Sequence, residues 1–319
     1  MPKAKTLAST LESKTATVDR LIDLIDRQLL AYEELRMLRS RVETTGLSNE
    51  LYSFLNKNSA LENLFATLPK HDASSSMESM QNDNELYYID VAMEGLLSRI
   101  KEALKRLWEA FWDWVLDWID DNRRLHFRLQ RHKVGLENNA ADYGSDDTLS
   151  KVTAVCYHYD NEWMVMYNAV TKLSTLLSQV PANGVEKFLN DHLRELETNL
   201  EVFGYAITDA GVVSSSKPAF SKTERILGKG GANWVRSNML TGVRSAMEML
   251  RLEETKRKEF NNIRRAFDEA IAGENDSIKF SQMAKLIRIC KLTKTFAATT
   301  ARACADVCRI AKAKAGSNS

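Results

Sequence analysis

Residues 95–119 decide the fold of this chain, and they read Gly95-Leu-Leu-Ser-Arg-Ile-Lys-Glu-Ala-Leu-Lys-Arg-Leu-Trp-Glu-Ala-Phe-Trp-Asp-Trp-Val-Leu-Asp-Trp-Ile119. One apolar residue follows another at steps of three, four, three, four, three and four, at Leu97, Ile100, Leu104, Leu107, Phe111, Trp114 and Trp118. This spacing places them on one face of an α-helix and does not fit a strand. Four of the six tryptophans fall between Trp108 and Trp118, so the second half of the helix is the most apolar.

Three interpretations of this aromatic helix remain open from its pattern. It can be a core helix buried under other helices, a helix that binds a partner or a second copy, or a helix lying on a membrane surface. The membrane interpretation is the least favoured, because acids such as Asp113 and Asp117 crowd the aromatic half and anionic lipid would repel them. If the helix binds a partner, the contact face is Leu107, Trp108, Phe111, Trp112, Trp114, Val115 and Trp118.

Composition and spacing predict an all-α protein. Four prolines and thirteen glycines in 319 residues are too few for a turn-rich β fold. Helical periodicity over Val18–Val42 and, more weakly, over Ser48–Leu68 predicts an N-terminal helical hairpin in residues 1–70. A polar stretch without periodicity predicts a linker over residues 71–94, and residues 95–319 then form a larger helical domain led by the aromatic helix.

The larger domain contains further helical patterns. They cover Val185–Phe203, Met239–Ile271 and Ile278–Ala315. Residues 152–159 have the composition of a strand, but their continuation into 163–177 favours the interior of a helix. Residues 212–234 are irregular and are expected to form a short hairpin or an extended loop.

Charge is distributed unevenly along the chain. Residues 1–94 carry ten bases and fifteen acids, a net charge of −5, whereas residues 95–319 carry 34 bases and 28 acids, a net charge of +6. The last helix concentrates bases that could neutralise phosphates without reading sequence, at Lys285, Arg288, Lys291, Lys294, Arg302, Arg309, Lys312 and Lys314. The competing interpretation is the solvated face of an amphipathic helix.

The sequence contains no recognisable catalytic or metal-binding pattern. The five histidines are scattered, and Cys304 and Cys308 lack the second pair or histidine that a zinc site needs. The glycines of 228–231 lack the spacing of a phosphate-binding loop. We therefore expect no enzyme, no cofactor and no metal.

The layout of residues 1–120 resembles the internal head proteins of large tailed bacteriophages. These proteins begin with a removable helical N-terminal piece. A three-residue processing signal follows, which consists of a small residue, then any residue, then Glu. An aromatic amphipathic helix comes after the signal. The matching triplets here are Ser76-Met77-Glu78 and Ala92-Met93-Glu94. The same triplet pattern recurs elsewhere in the chain. Its position in an accessible segment is therefore what distinguishes a processing site from a chance occurrence.

The resemblance implies a non-enzymatic virion protein that is made as a precursor and trimmed to begin at Ser79 or Gly95. It implies a prohead protease, other head proteins and non-specifically bound packaged DNA as partners, with no membrane. The expected location is the capsid interior, and the host cytoplasm during assembly. Two other functions remain open, a membrane-active or host-interacting helical effector and a cytoplasmic helical adaptor.

Overall fold

The computed structural model describes residues 2–45, 78–143, 153–159, 163–208, 211–214, 220–226, 239–251, 254–273 and 276–315. Most of these residues are helical, which confirms the all-α prediction. The helices of the described part are α1 Pro2–Thr45, α2 Glu78–Asn138, α3 Trp163–Leu177, α4 Val185–Asp191, α5 Leu193–Glu201, α6 Met239–Leu250, α7 Glu254–Ala272 and α8 Ser277–Ala315. A short 3₁₀ turn, Ala140–Tyr143, follows α2.

Helix α2 extends beyond residues 95–119 at both ends. It begins at Glu78, inside the stretch predicted as the 71–94 linker, because Ile89 and Ala92 extend the buried stripe toward the N-terminus. Residues 71–77 lie outside the described residues. Helix α2 also continues beyond the acidic residues near position 120, because Leu125 and Leu129 keep the same buried face. The aromatic segment is therefore the middle of a 61-residue helix.

Helix α1 runs antiparallel along α2. Near the end of α1, Arg39 Nε lies 2.6 Å from Asp90 Oδ1, and near its start, Lys14 Nζ lies 2.9 Å from Asp117 Oδ2. The side of α1 that faces the protein is apolar and buried, at Val18, Ile22, Ile25, Ala31, Leu35, Leu38 and Val42. The second helix of the predicted hairpin falls in residues 46–77, outside the described residues, and the described partner of α1 is α2. Helix α1 thus shares one apolar core with the rest of the described chain.

Helix α8 is the centre of the fold. It contacts α1, α2, α3, α4, α6 and α7, together with the 3₁₀ turn and two strands. Alanines such as Ala297, Ala301 and Ala305 are buried along it, and their small side chains let neighbouring helices approach closely from several sides. Helix α8 confirms the helix predicted over Ile278–Ala315.

Two of the other predicted helices are each divided in two. The Val185–Phe203 pattern forms α4 and α5, which meet at the non-helical backbone of His192. The Met239–Ile271 pattern forms α6 and α7, because the buried positions of the two segments do not lie on one face of a continuous helix.

Four strands accompany the helices in the described residues. Strand β1, Thr153–Tyr159, pairs antiparallel with β4, Phe220–Ile226, with Thr153 opposite Ile226. Strand β2, Tyr205–Thr208, pairs antiparallel with β3, Gly211–Ser214. The preference for a helix interior at 152–159 was therefore wrong, since the β-branched and aromatic residues there pair with a distant strand. Residues 212–234 were expected to form a short hairpin or an extended loop. The described part of that range contains most of β3 and all of β4, which pair with β2 and β1 and not with each other.

The packing of α1 predicts a contrast between two leucines of the same helix. Leu35 is fully buried, whereas Leu30 is 61% exposed. Leu35→Ala should lower the free energy of unfolding by about 2–5 kcal/mol, because it leaves a cavity between α1 and the core. Leu30→Ala, the matched control, should change it by less than about 0.5 kcal/mol. Urea denaturation of both variants measures this, and equal losses would contradict the docking of α1 onto the core.

Candidate functional site

The aromatic segment of α2 is turned toward the interior of the protein. Leu107, Phe111, Trp114, Val115 and Trp118 are all at most 1% exposed. The indole Nε1 of Trp114 donates a hydrogen bond to Thr15 Oγ1 on α1 at 3.0 Å. That of Trp118 donates to the carbonyl oxygen of Lys294 on α8 at 3.1 Å. Buried indoles with hydrogen-bonded N–H groups are typical of a core helix.

The remaining two tryptophans of the segment lie at its edge. Trp108 is half-buried and stacks on Phe267 of α7, with ring centroids 4.8 Å apart. Trp112 is 39% exposed and meets Phe260 of α7 edge-on at 6.0 Å. The residues predicted as a partner-binding face therefore contact α1, α7 and α8 of the same chain, as the core interpretation expects.

Three bases in the first half of α8 are covered by the rest of the protein. Lys291 and Lys294 are 3% and 1% exposed, so the prediction that these two contact phosphate is wrong in this arrangement. Arg288 is mostly covered and lies near Asp23 and Asp26 of α1. The surrounding carboxylates come from helices that are far away in the sequence, which is why the local charge count suggested a free basic face.

The other predicted phosphate-binding residues vary in their surroundings. Arg302 pairs with Asp121 of α2, and Arg309 Nε lies 3.6 Å from Asp306 Oδ1 on its own helix. Lys312 lies over the ring of Tyr143, 5.7 Å from its centroid. Lys285 is partly exposed, and the side chain of Lys314 lies outside the described residues.

A row of acids on α1 meets bases on α8, and we call it the α1–α8 ion-pair row. It consists of Asp19, Asp23 and Asp26 opposite Arg288 and Lys291. Asp19 pairs with Lys291, and Arg288 Nη1 lies 3.5 Å from Asp26 Oδ2 and 3.7 Å from Asp23 Oδ1. Lys291 also donates to the carbonyl oxygen of Thr15 at 3.4 Å. Three acids of α1 thus neutralise two bases of the C-terminal helix.

Burial perturbs two members of this row. It raises the pKa of Asp26 to about 6, against the lowering effect of Arg288, and the neighbouring Asp23 raises it further. Burial also lowers the pKa of Lys291, and the contact with Asp19 opposes this. Gly211, at φ +130, approaches Asp26 so closely that an added Cβ would lie 3.2 Å from Oδ2. The β2–β3 hairpin therefore helps to cover Asp26.

A second ionic cluster lies deep between α7 and α8. Lys294 Nζ lies 2.6 Å from Glu259 Oε2, and both side chains are 1% exposed. Cys290 Sγ donates to Glu259 Oε1 at 3.4 Å, and Lys294 Nζ lies 5.9 Å and 5.4 Å from the ring centroids of Trp118 and Phe260. Sequence reasoning missed Glu259 entirely.

A signal for this cluster is nevertheless present in the sequence. Glu259 precedes the buried Ile263 by four residues, so it occupies an apolar position of α7. Lys294 likewise stands four residues after Cys290 and three before Ala297. Opposite charges at apolar positions of two helices indicate a buried ion pair, because a single buried charge is unfavourable.

The cluster is not arranged for nucleophilic chemistry. Burial raises the pKa of Cys290 well above its ordinary value, and Glu259 raises it further, so the group stays a thiol. A thiolate is the nucleophilic form. The pKa of Cys304 is raised by its hydrogen bond with Cys308 and by burial, and both residues lie at 0% exposure. These positions indicate structural roles for the three cysteines.

The two candidate processing triplets stand in different surroundings. Ala92, Met93 and Glu94 lie within α2, where Ala92 is buried and Met93 packs against the core. Glu78 is the first residue of α2, and Ser76 and Met77 lie outside the described residues. Proteases cleave accessible, extended backbone, so the helical triplet at 92–94 would have to unwind first.

No three histidine, cysteine, aspartate or glutamate side chains of the described part converge as ligands of a metal ion. None of the described helices is sufficiently long and apolar to cross a membrane. Comparison with protein-family models, curated proteins and solved structures found no match.

The buried ion pair predicts strongly non-additive mutational effects. Lys294→Met and Glu259→Leu should each lower the free energy of unfolding by about 3–5 kcal/mol, because each leaves one buried charge without its partner. The double variant should be more stable than either single variant, because apolar side chains then replace both charges. Urea denaturation of the native protein, the two single variants and the double variant measures the coupling between Lys294 and Glu259. If the free-energy losses of the single variants sum to that of the double variant, the buried ion pair is contradicted.

The environment of Asp26 predicts a pH effect. Its pKa is raised from 3.8 to about 6, so the folded state holds the proton more tightly than the unfolded chain. This contribution to stability is present below about pH 4 and is lost as the pH rises through about 6. The stability of Asp26→Asn relative to the native protein should therefore improve by on the order of 1–2 kcal/mol from low to neutral pH, allowing for partial exposure. The free energy of unfolding of both proteins would be measured by urea denaturation across this pH range. If it changes with pH in the same way for both, the raised pKa of Asp26 is contradicted.

Proposed function

We propose that this chain is a non-enzymatic virion protein of a tailed bacteriophage, packaged inside the capsid with the genome and made as a precursor. A prohead protease would trim it, and other head proteins and packaged DNA would be its partners. The supporting features are the processing triplets and the aromatic helix that follows them. The single observation that carries the proposal is the position of α1.

Helix α1 covers two surfaces that a virion protein could use after trimming. Through Thr15 and Lys14 it lies over Trp114 and Asp117 on α2. Through the α1–α8 ion-pair row it neutralises bases of α8. Loss of α1 would therefore uncover an apolar, aromatic strip of α2 together with cationic groups. The first is suited to contacts with other proteins and the second to contacts with DNA.

The start of α2 favours Glu78 over Glu94 as the processing site. A cut after Glu78 would separate α1 from α2 and leave nearly all of α2 intact. A cut after Glu94 would remove Ile89 and Ala92 from the buried face of α2 and would require unwinding of the helix interior. After the first cut, α1 would be held only by non-covalent contacts. Its release then depends on competition from the packaged partners or on further digestion.

The proposal predicts a defined N-terminus for the mature protein. Mass spectrometry of the chain isolated from purified particles should show a product that begins at Ser79. Glu78→Gln should leave a longer product, because the protease is expected to recognise the glutamate of the triplet. Glu94→Gln is the matched control and should leave the product unchanged. Particles that contain only full-length chains, or a product that begins at Gly95, would contradict this proposal.

A further inference from the structure

Part of the positive charge of residues 95–319 lies on α2, away from the buried part of α8. The C-terminal third of α2 carries Arg123, Arg124, Arg128, Arg131 and Lys133 within eleven residues. Arg123 Nη1 lies 3.6 Å from Asp120 Oδ1, and Lys133 Nζ lies 3.9 Å from Glu137 Oε1. Within the described part of the chain, no carboxylate lies within ion-pair distance of Arg124, Arg128 or Arg131. These three cations are also exposed.

An exposed aromatic ring stands among the three arginines. Phe127 is 70% exposed, which is the highest exposure of any large apolar side chain in the described residues. Residues at positions i, i+3, i+4 and i+7 of a helix share one face, so Phe127 neighbours Arg124, Arg128 and Arg131. We call these four residues the Arg124 face. It extends for about 10 Å along the helix axis.

We propose that the Arg124 face binds single-stranded nucleic acid. The three guanidinium groups provide unpaired positive charge for phosphates, and the Phe127 ring provides a flat surface on which a base can stack. A ring placed among cations is suited to a ligand with both anionic and aromatic parts, because a base can stack on the ring while its phosphates approach the guanidinium groups. None of the four residues belongs to the segment 1–78 that trimming would remove.

The surroundings of the face support a polyanionic ligand. Burial, followed by the nearby Lys312 and Arg309, lowers the pKa of His132 on the same part of α2. Burial and Arg251 lower the pKa of His126 in the same way. Two bases of α8 thus lie near His132, next to Arg131 at the end of the Arg124 face, and one of them, Arg309, also faces Asp306.

A membrane surface fits the Arg124 face less well. A helix that lies on lipid inserts a continuous apolar side, but Leu125 and Leu129 of this segment are buried in the protein core. Duplex DNA also fits less well, because its bases are already stacked and Phe127 would have no base face to contact. The combination of one ring and three arginines therefore favours unpaired bases.

Binding titrations of the full-length protein test the inference. Fluorescence anisotropy would be measured with a short labelled oligothymidylate, an oligouridylate of equal length and a duplex, over salt from about 50 to 200 mM. The combined variant Arg124→Gln, Arg128→Gln and Arg131→Gln should bind the single strands at least about tenfold more weakly. Its log–log salt slope should be shallower by about 2, since three phosphate contacts at about 0.7 each are lost.

Two further variants separate the contributions of charge and stacking. Phe127→Ala should weaken single-strand binding by on the order of tenfold and leave the salt slope nearly unchanged, because it removes stacking alone. The control variant Lys172→Gln, Lys187→Gln and Arg194→Gln removes the same charge from exposed positions of α3, α4 and α5 and should bind as the native protein does. Circular dichroism would confirm that all variants are folded.

Several outcomes would overturn the inference. They are no oligonucleotide binding by the native protein at the lowest salt, equal losses in the two triple variants, or native affinity in Phe127→Ala. Binding to anionic phospholipid vesicles without binding to oligonucleotides would assign the face to a membrane instead. These results are distinguishable from a failure of the proposed function, which is decided by the N-terminus of the chain found in particles.

Discussion

The buried ammonium group of Lys294 is the constraint on which the helical core depends. Helix α8 passes through the centre of the protein, so a charge on this part of it cannot reach water and must meet a carboxylate inside. Glu259 of α7 provides that carboxylate at 2.6 Å, and Trp118 of α2 donates to the carbonyl oxygen of the same lysine. One residue thereby fixes the relative positions of three helices. Removing one partner of such a pair is strongly destabilising, because it leaves a buried charge without its counter-charge.

The same requirement explains the arrangement at the surface of α8 that faces α1. Lys291 and Arg288 are covered by α1, so α1 carries Asp19, Asp23 and Asp26 along the contact. The acids of the α1–α8 ion-pair row are therefore complementary to the bases that they cover. This complementarity gives the N-terminal helix two properties at once, since it belongs to the core and it masks basic groups. A removable N-terminal segment would need to mask basic groups. Because α1 also belongs to the core, its loss would expose a large apolar surface.

Regular patterns that depend only on local spacing were predicted well, and features that depend on distant partners were not. The three-four spacing of α2 and α8 identified both helices and the all-α class, because one buried side imposes that period. Strand β1 was missed because its partner β4 lies more than sixty residues away along the chain. The extension of α2 across 78–94 was missed because few apolar residues mark its first turns.

The sequence by itself determined that the chain is helical, that the aromatic segment has one apolar side, and that positive charge follows negative charge along the chain. Only the tertiary structure decided which charges remain available to a ligand. Lys291 and Lys294 are buried and paired, whereas Arg124, Arg128 and Arg131 face solvent around Phe127. Net charge is a sum over residues, but the availability of a cation depends on which carboxylates the fold brings within a few ångströms of it. That proximity is set by helix packing, which no local pattern records.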